Sequence, residues 1–385
     1  MNKGKEMKWT ESVFPIKELA TGEMLNLKTY TISGNPGPHI HIQASVHGAE
    51  LQGNAVILQL MDMLNKTQVH GSITFIPLAN PYATNNKHGT YTYGRYNPVT
   101  GDNWNRNYRD IIKDAEFNIE EFAQENKDLA WNDIKDKFKE KLEKTFNSHI
   151  EKLEKSKTLS ENNKLNLLLQ QLAGSADGIL DLHTGPVATR YLYAAEYERE
   201  VAHYLKFKHV LVIPEEFGGA MDEACFMPWV HLKNAFKKIG KDIDLDVESF
   251  TLEFGSEETF CMKSATKDVE SIVNYLRYKG VLEGTPDQID SNACLLENYR
   301  TIYSPNGGLV DYHFLPGEKF KKGDNLASFY NLKKIDPNDP ITSSRSQVIA
   351  QEDGIVINRC PSSSVHQGME LFQVMTKLEA HQAKS

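Results

Sequence analysis

The chain has 385 residues, with 52 acidic against 43 basic side chains and a formal net charge of −9. At about 150 residues per domain the length fits two domains, and a composition of 40% hydrophobic and 25% charged residues excludes wholesale disorder and collagen-like repeats. The acidic balance disfavours nucleic acid and anionic lipid as partners, the apolar runs are far shorter than the ~18–20 residues of a membrane span, and the opening MNKGKEMKWTESVF has no apolar stretch of secretory type, so the expected compartment is the cytoplasm.

In chain order, the run HIHIQASV (39–46) alternates branched residues and meets HGAELQG, where a helical pattern begins and continues as AVILQLMDMLNK. Gly71 then precedes a second strand, SITFIPL, closed by Pro77 and Asn80-Pro81. This strand-helix-strand unit predicts an α/β domain with a largely parallel sheet. Further strands are expected at GILDLH (178–183), HVLVIP (209–214) and SFTLEF (249–254). Between Asp102 and Ala173 there is neither Gly nor Pro, and 24 of the 60 residues from Ile111 to Gln170 are charged, 11 Lys against 13 Asp and Glu. That balance predicts a solvated helical insertion over about 111–173 rather than a nucleic-acid or membrane arm.

After about Asp290 the texture changes to short apolar pieces punctuated by glycine, which predicts a small all-β module. The division expected is therefore 1–289 and 290–385. The strings GEKFKKGDNLASF and AQEDGIVINRCPSSSVHQGMELFQV resemble the barrel-sandwich pattern of biotinyl and lipoyl domains, but NRCPSSSV offers no lysine where a carrier would need one. A lid or structural domain is the better reading. Cys225, Cys261, Cys294 and Cys360 are dispersed without a CxxC pair, as expected of buried free thiols.

The chemistry is expected at the strand ends, where open α/β sheets bind ligands. His47 and Glu50 form the single H-x-x-E of the chain, immediately past one strand. Three residues apart on a first helical turn, an imidazole and a carboxylate can converge on one ion. His183 ends the strand GILDLH and can supply a third ligand, with Asp181 placed to orient it. Two histidines, a glutamate and a water make a known type of catalytic zinc site. The stretch GRYNPVTGDNWNRNYRD gathers Arg95, Asn105, Arg106 and Arg109, and guanidinium groups hold carboxylates and stabilise oxyanions. Glu253 ends the apolar strand SFTLEF, where a carboxylate is costly to bury without a task, and is the expected general base.

HGAE, the NR of NWNR, DLH and T-x-E-x-G (Thr251, Glu253, Gly255), in that order and followed by a β-rich module, resemble the succinylglutamate desuccinylase and aspartoacylase branch of the zinc carboxypeptidase-like superfamily. The resemblance runs from about His39 to Val374, excluding the charged helices. It implies a zinc-carboxypeptidase-like sheet, mixed to mostly parallel and flanked by helices, with the C-terminal all-β domain beside it. It also implies one Zn²⁺ held by His47, Glu50 and His183, a substrate carboxylate gripped by Asn105 and Arg106, a carbonyl polarised by Arg95, and Glu253 as general acid/base. Ala49 and Asn103 depart from the Asn and Asp often found at those positions in the family.

The function expected is hydrolysis of an amide bond in an N-acyl amino acid. A zinc carboxypeptidase trimming peptides needs the same residues, and a non-catalytic binding protein on the same fold is a third reading. The partner expected is a small molecule or peptide with a free carboxylate. A homo-oligomer is left open. Co²⁺, Mn²⁺ or Fe²⁺ could fill such a site according to supply.

Overall fold

Alternation within the central strands decides which side of the sheet becomes core and which becomes the site. A computed structural model describes residues 8–113, 117–156 and 160–383. Its main feature is a ten-stranded mixed sheet. In spatial order the strands are Lys8–Glu18, Met24–Ser33, His70–Ile76, Asn35–Ala44, Gly178–Gly185, Glu248–Ser256, Arg190–Ala195, His209–Ile213, Ser291–Leu295 and Glu379–His381. The four strands from His70–Ile76 to Glu248–Ser256 run parallel, Arg190–Ala195 reverses direction, and the first and last strands are antiparallel edges.

One face of this sheet carries Ile40, Ile42, Leu180, Leu182, Phe250 and Leu252, all fully buried. They pack against the helices Gln52–Leu64 and Met262–Tyr278 through residues such as Val56, Leu60, Ile272 and Leu276. Gly53 permits that contact, because a Cβ there would stand 2.7 Å from the Cβ of Leu182. Successive strand residues point to opposite faces, so the other side receives His41 and Gln43, then Asp181 and His183, then Thr251 and Glu253. The pairing registers Gln43↔Asp181, Asp181↔Thr251 and His183↔Glu253 set these polar residues abreast. The helix Met221–Lys238 packs on this second side.

The charged stretch forms three helices, Ile119–Glu125, Trp131–Lys155 and Glu161–Ala173. Though heavily charged, the long one is amphipathic. Ile134, Phe138, Leu142 and Phe146, four apart, are buried in a core shared with Trp229, Leu232 and Phe236 of the Met221–Lys238 helix. Lys135 and Lys139 of the same helix close on Asp177, just ahead of the strand bearing Asp181 and His183. The insertion is thus packed against the sheet's second side, with only its outer face solvated.

The β-rich C-terminus forms two facing antiparallel sheets around Phe320, Leu326, Phe329, Val356, Leu371 and Phe372. Strand Ser291–Leu295 leads in from the large sheet and Glu379–His381 returns to it. Val187–Ala188, four residues beyond His183, pairs with Gly354–Arg359 of the module. Among the described residues the cysteines are unpaired, Cys225 and Cys294 buried and Cys261 and Cys360 partly so, and no helix is long and apolar enough to cross a membrane.

Candidate metal centre and active site

His47 and Glu50 do not lie on a helix. They close a single turn in which the Glu50 N–H donates to the His47 carbonyl (3.2 Å), and the following helix starts only at Gln52. The turn is tight because Gly48 lies against backbone on two sides. A Cβ there would meet the Ala83 carbonyl carbon at 2.3 Å, while the Gly48 N–H donates to the Gly94 carbonyl (2.9 Å). That contact docks the loop bearing Arg95 beside Glu50.

Glu50 sits between two imidazoles. Its Oε1 lies 2.8 Å from His47 Nδ1 and its Oε2 lies 2.7 Å from His183 Nδ1. The Thr184 N–H also donates to Oε2 (3.1 Å). All three side chains are at least 96% buried, and their ligand atoms lie within 4.8 Å of one another. Each ring is anchored at its far nitrogen. His183 Nε2 donates to Asp181 Oδ2 (2.8 Å), and His47 Nε2 donates to Asn103 Oδ1 (2.8 Å). An acceptor at Nε2 fixes the tautomer that leaves Nδ1 free for a metal. The chain of bonds continues behind, since Gln43 Nε2 donates to Asp181 Oδ1 (3.1 Å) and His41 Nε2 to Gln43 Oε1 (3.1 Å). Burial holds His41 neutral, with its pKa lowered to about 4.

The charges here call for a cation. Burial opposes a proton on His183, yet Asp181 and Glu50 outweigh it and hold the ring's pKa well above the ordinary histidine value. The His183 ring stands between two carboxylate oxygens, 2.7 Å from Glu50 Oε2 and 2.8 Å from Asp181 Oδ2. The donor set of two Nδ1 atoms and one carboxylate fits zinc.

Glu253 is abreast of His183 on the neighbouring strand, 8% exposed. Among the described residues its Oε2 has no hydrogen-bond partner. Burial, reinforced by the charge of Glu50, pushes its pKa up to about 8. Arg95 is 44% exposed, with Nη1 3.4 Å from Glu50 Oε1. Burial works against its charge, but Glu50 and Glu253 keep it firmly protonated.

A profile of the succinylglutamate desuccinylase/aspartoacylase catalytic domain matches residues 36–279. The chain belongs to the succinylglutamate desuccinylase/aspartoacylase family. A family protein from Shewanella amazonensis SB2B is 38% identical, with a TM-score of 0.88 over 96% of this chain and 100% of that one. Another from Shewanella frigidimarina NCIMB 400 is 35% identical, with a TM-score of 0.90 over 97% and 99%. The ectoine utilization protein EutE (DoeB) of Ruegeria pomeroyi shares the fold at 16% identity, with a TM-score of 0.63 over 97% and 96% of the two chains. No curated protein matches the chain.

Asn105 and Arg106 are placed differently. Asn105 is buried, and its Oδ1 accepts from the Met221 N–H (3.1 Å) at the start of the Met221–Lys238 helix. Arg106 is exposed, with Nη1 donating to the Asn105 carbonyl (2.6 Å). Thr251 donates to Asp222 (2.9 Å), whose pKa burial and Glu223 raise to about 6. Trp104 and Tyr108 are buried core residues, and Tyr303 is 60% exposed.

Sequence reasoning missed Gln43 and Asp222 as supports of the site, and marked Asn103 only as a departure from the Asp often found there. The polar alternation of His41 and Gln43 in an otherwise apolar strand was a usable signal for Gln43. Nothing local marks Asp222, which reaches Thr251 from a distant helix.

Proposed function

We propose that the protein is a zinc-dependent hydrolase that removes the acyl group from a small N-acyl amino acid. The reading rests above all on the paired histidines, which turn Nδ1 toward one glutamate while a carboxylate and an amide fix their Nε2 atoms. Family membership supports a deacylase reaction class. His47, Glu50 and His183 would hold the metal. When bound, zinc supplies Lewis acidity toward water and toward an acyl carbonyl.

The chain's own residues account for the rest. Glu253 takes a proton from the attacking water and returns it to the amide nitrogen as the C–N bond breaks, so a carboxylate and an amine leave. Its buried Oε2, without a hydrogen-bond partner among the described residues, is available for that exchange. Charge from a bound dication would draw its pKa down from about 8 toward the working range of a base. Arg95 faces the oxygen on which negative charge develops. Arg106, exposed on the same loop, engages the carboxylate of the amino-acid half, and Asn105 anchors that loop to the Met221–Lys238 helix. On this reading residues 1–289 carry the catalysis, and the module of 290–385 acts as a wall of the cleft.

The test is a competition read by mass spectrometry. Zinc-loaded protein, with Glu253→Gln as blank, receives a mixture of N-acyl amino acids and short peptides. Release of free amino acid from the N-acyl compounds alone is the expected result. Shortening of peptides from their carboxyl ends would replace the deacylase with a carboxypeptidase, and no turnover at all would sink both.

A further inference from the structure

The end of the sheet that carries Glu253 has a second face. Arg190–Ala195 runs antiparallel to Glu248–Ser256, with Tyr191 opposite Glu253 and Arg190 opposite Phe254. Side chains alternate along a strand, so Tyr191 shares the face of Glu253 and Arg190 turns to the other. There Arg190 Nε and Nη2 donate to the two oxygens of Asp268 (2.6 and 3.0 Å), on the helix Met262–Tyr278. The strand His209–Ile213 runs parallel to Arg190–Ala195 and therefore starts at the same end. Between these two strand starts, that helix and Pro316 of the C-terminal module lies a cavity of about 350 Å³. The module wall is fixed by backbone, since the Thr189 N–H donates to the Ile357 carbonyl (3.0 Å), and by a close approach, since a Cβ on Gly317 would stand 3.2 Å from Thr189 Oγ1.

The lining is basic in a chain whose net charge is −9. Arg190, Lys206, Lys208 and Lys267 bring four cations to it, against the one carboxylate of Asp268. Asp268 is committed to Arg190 through both oxygens, and Lys206 is paired with Asp287 (2.7 Å), which does not line the cavity. Lys208 and Lys267 are exposed and have no ion pair among the described residues. His209 lines the same cavity and is 8% exposed, yet its Nδ1 has no hydrogen-bond partner among the described residues. Burial, then Lys208 and Lys319, lower its pKa to about 4, so at neutral pH the ring is uncharged and can present one N–H as a donor.

Like charges gathered in one recess repel one another, and a buried ring nitrogen without a partner is costly. An anion with several oxygens relieves both, because its charge offsets the ammonium groups while its oxygens accept from Lys, Arg and His. A monovalent ion would leave most of the excess charge in place. We infer that the cavity bounded by Arg190, Lys208, His209 and Lys267 binds a small multivalent oxyanion, a phosphorylated or polycarboxylate metabolite, on the face of the sheet opposite the candidate active site.

The test is calorimetric titration of the full-length protein at low ionic strength, where exposed charges are weakly screened, with pyrophosphate, tricarballylate and acetate as probes. Amide exchange is then followed with each probe bound. Pyrophosphate, tricarballylate or both should bind and protect 188–191 and 206–209, and acetate should not. Pyrophosphate alone would identify a phosphate ligand, and tricarballylate alone a polycarboxylate. Lys208→Gln/Lys267→Gln, a change at two exposed side chains, should weaken that binding by at least about ten-fold, while Arg106→Ala should leave it unchanged. The inference is overturned if neither multivalent probe binds, if acetate binds as tightly as they do, or if the lysine variant binds as tightly as wild type. It is also overturned if protection falls only around 47–50 and binding is lost with Arg106→Ala, which would place the anion in the candidate active site.

Discussion

Glu253 makes the sharpest prediction because it should set activity against stability. Its carboxylate is 8% exposed and abreast of His183, with one oxygen unpartnered among the described residues and Glu50 adding negative charge nearby. Its pKa is raised from 4.5 to about 8. At ~1.4 kcal/mol per unit this corresponds to roughly 2–5 kcal/mol of cost to the folded state once the group is ionised. Because the folded pKa lies above the unfolded one, the stability linked to the protonated form is fully present below pH 4.5 and is lost as pH rises through about 8. Glu253→Gln keeps the shape and removes the titration. The expected outcome is a loss of ~10²–10⁴ in kcat, with metal content unchanged. Metal-free variant should also resist urea better than metal-free wild type, by a margin that is near zero at pH 5 and grows toward pH 8–9. Urea midpoints across that range, alongside turnover, give both readouts. A variant that is no more stable at pH 9 than wild type, or one that retains turnover, would refute the reasoning.

The other predictions concern the supports. Asn103→Ala removes the acceptor that fixes His47 Nε2 and should weaken zinc binding ~10–100-fold, measured by competition with a chromogenic chelator; unchanged affinity would show that the ring needs no anchor. Burial opposes ionisation of Asp177, but Lys139 and Lys135 overcome it and hold its pKa at about 2. Asp177→Asn should therefore cost about 2 kcal/mol at pH 7, and about half of that gap should vanish by pH 3, because a depressed pKa contributes stability that is lost as pH falls from about 4 through about 2. A gap equally wide at pH 3 and pH 7 would count against it. Phe138→Ala, fully buried against Trp229 and Phe122, should lower unfolding free energy by ~3–5 kcal/mol, whereas a change below ~1 kcal/mol would mean that the insertion helix is only loosely attached.

Much of the sheet was legible because its strands carry their own signal. HIHIQ, ILDLH and FTLEF each alternate, and the apolar half of each became core. The edge strand Lys8–Glu18 was not legible, since KWTESVFPIKE is charged, contains Pro15 and pairs on one side only. Arg190–Ala195 was also missed. Its direction, antiparallel to Glu248–Ser256, depends on a partner some 60 residues away. The insertion shows the opposite error. Its charge count read as solvation, while the four-residue spacing of Ile134, Phe138, Leu142 and Phe146 buried one whole face.

The candidate site divides in the same way. His47, Glu50, His183, Arg95, Asn105, Arg106 and Glu253 could be named from the sequence because reactive residue types at strand ends and in one aromatic loop are costly there without a use, and their order matches a family pattern. Which nitrogen of each histidine faces the centre could not, because that choice belongs to Asp181 two residues from one ring and to Asn103 fifty-six residues from the other. Sequence records which groups are available and what local pattern carries them; the register between strands, set by packing of the opposite apolar face, decides which of those groups touch.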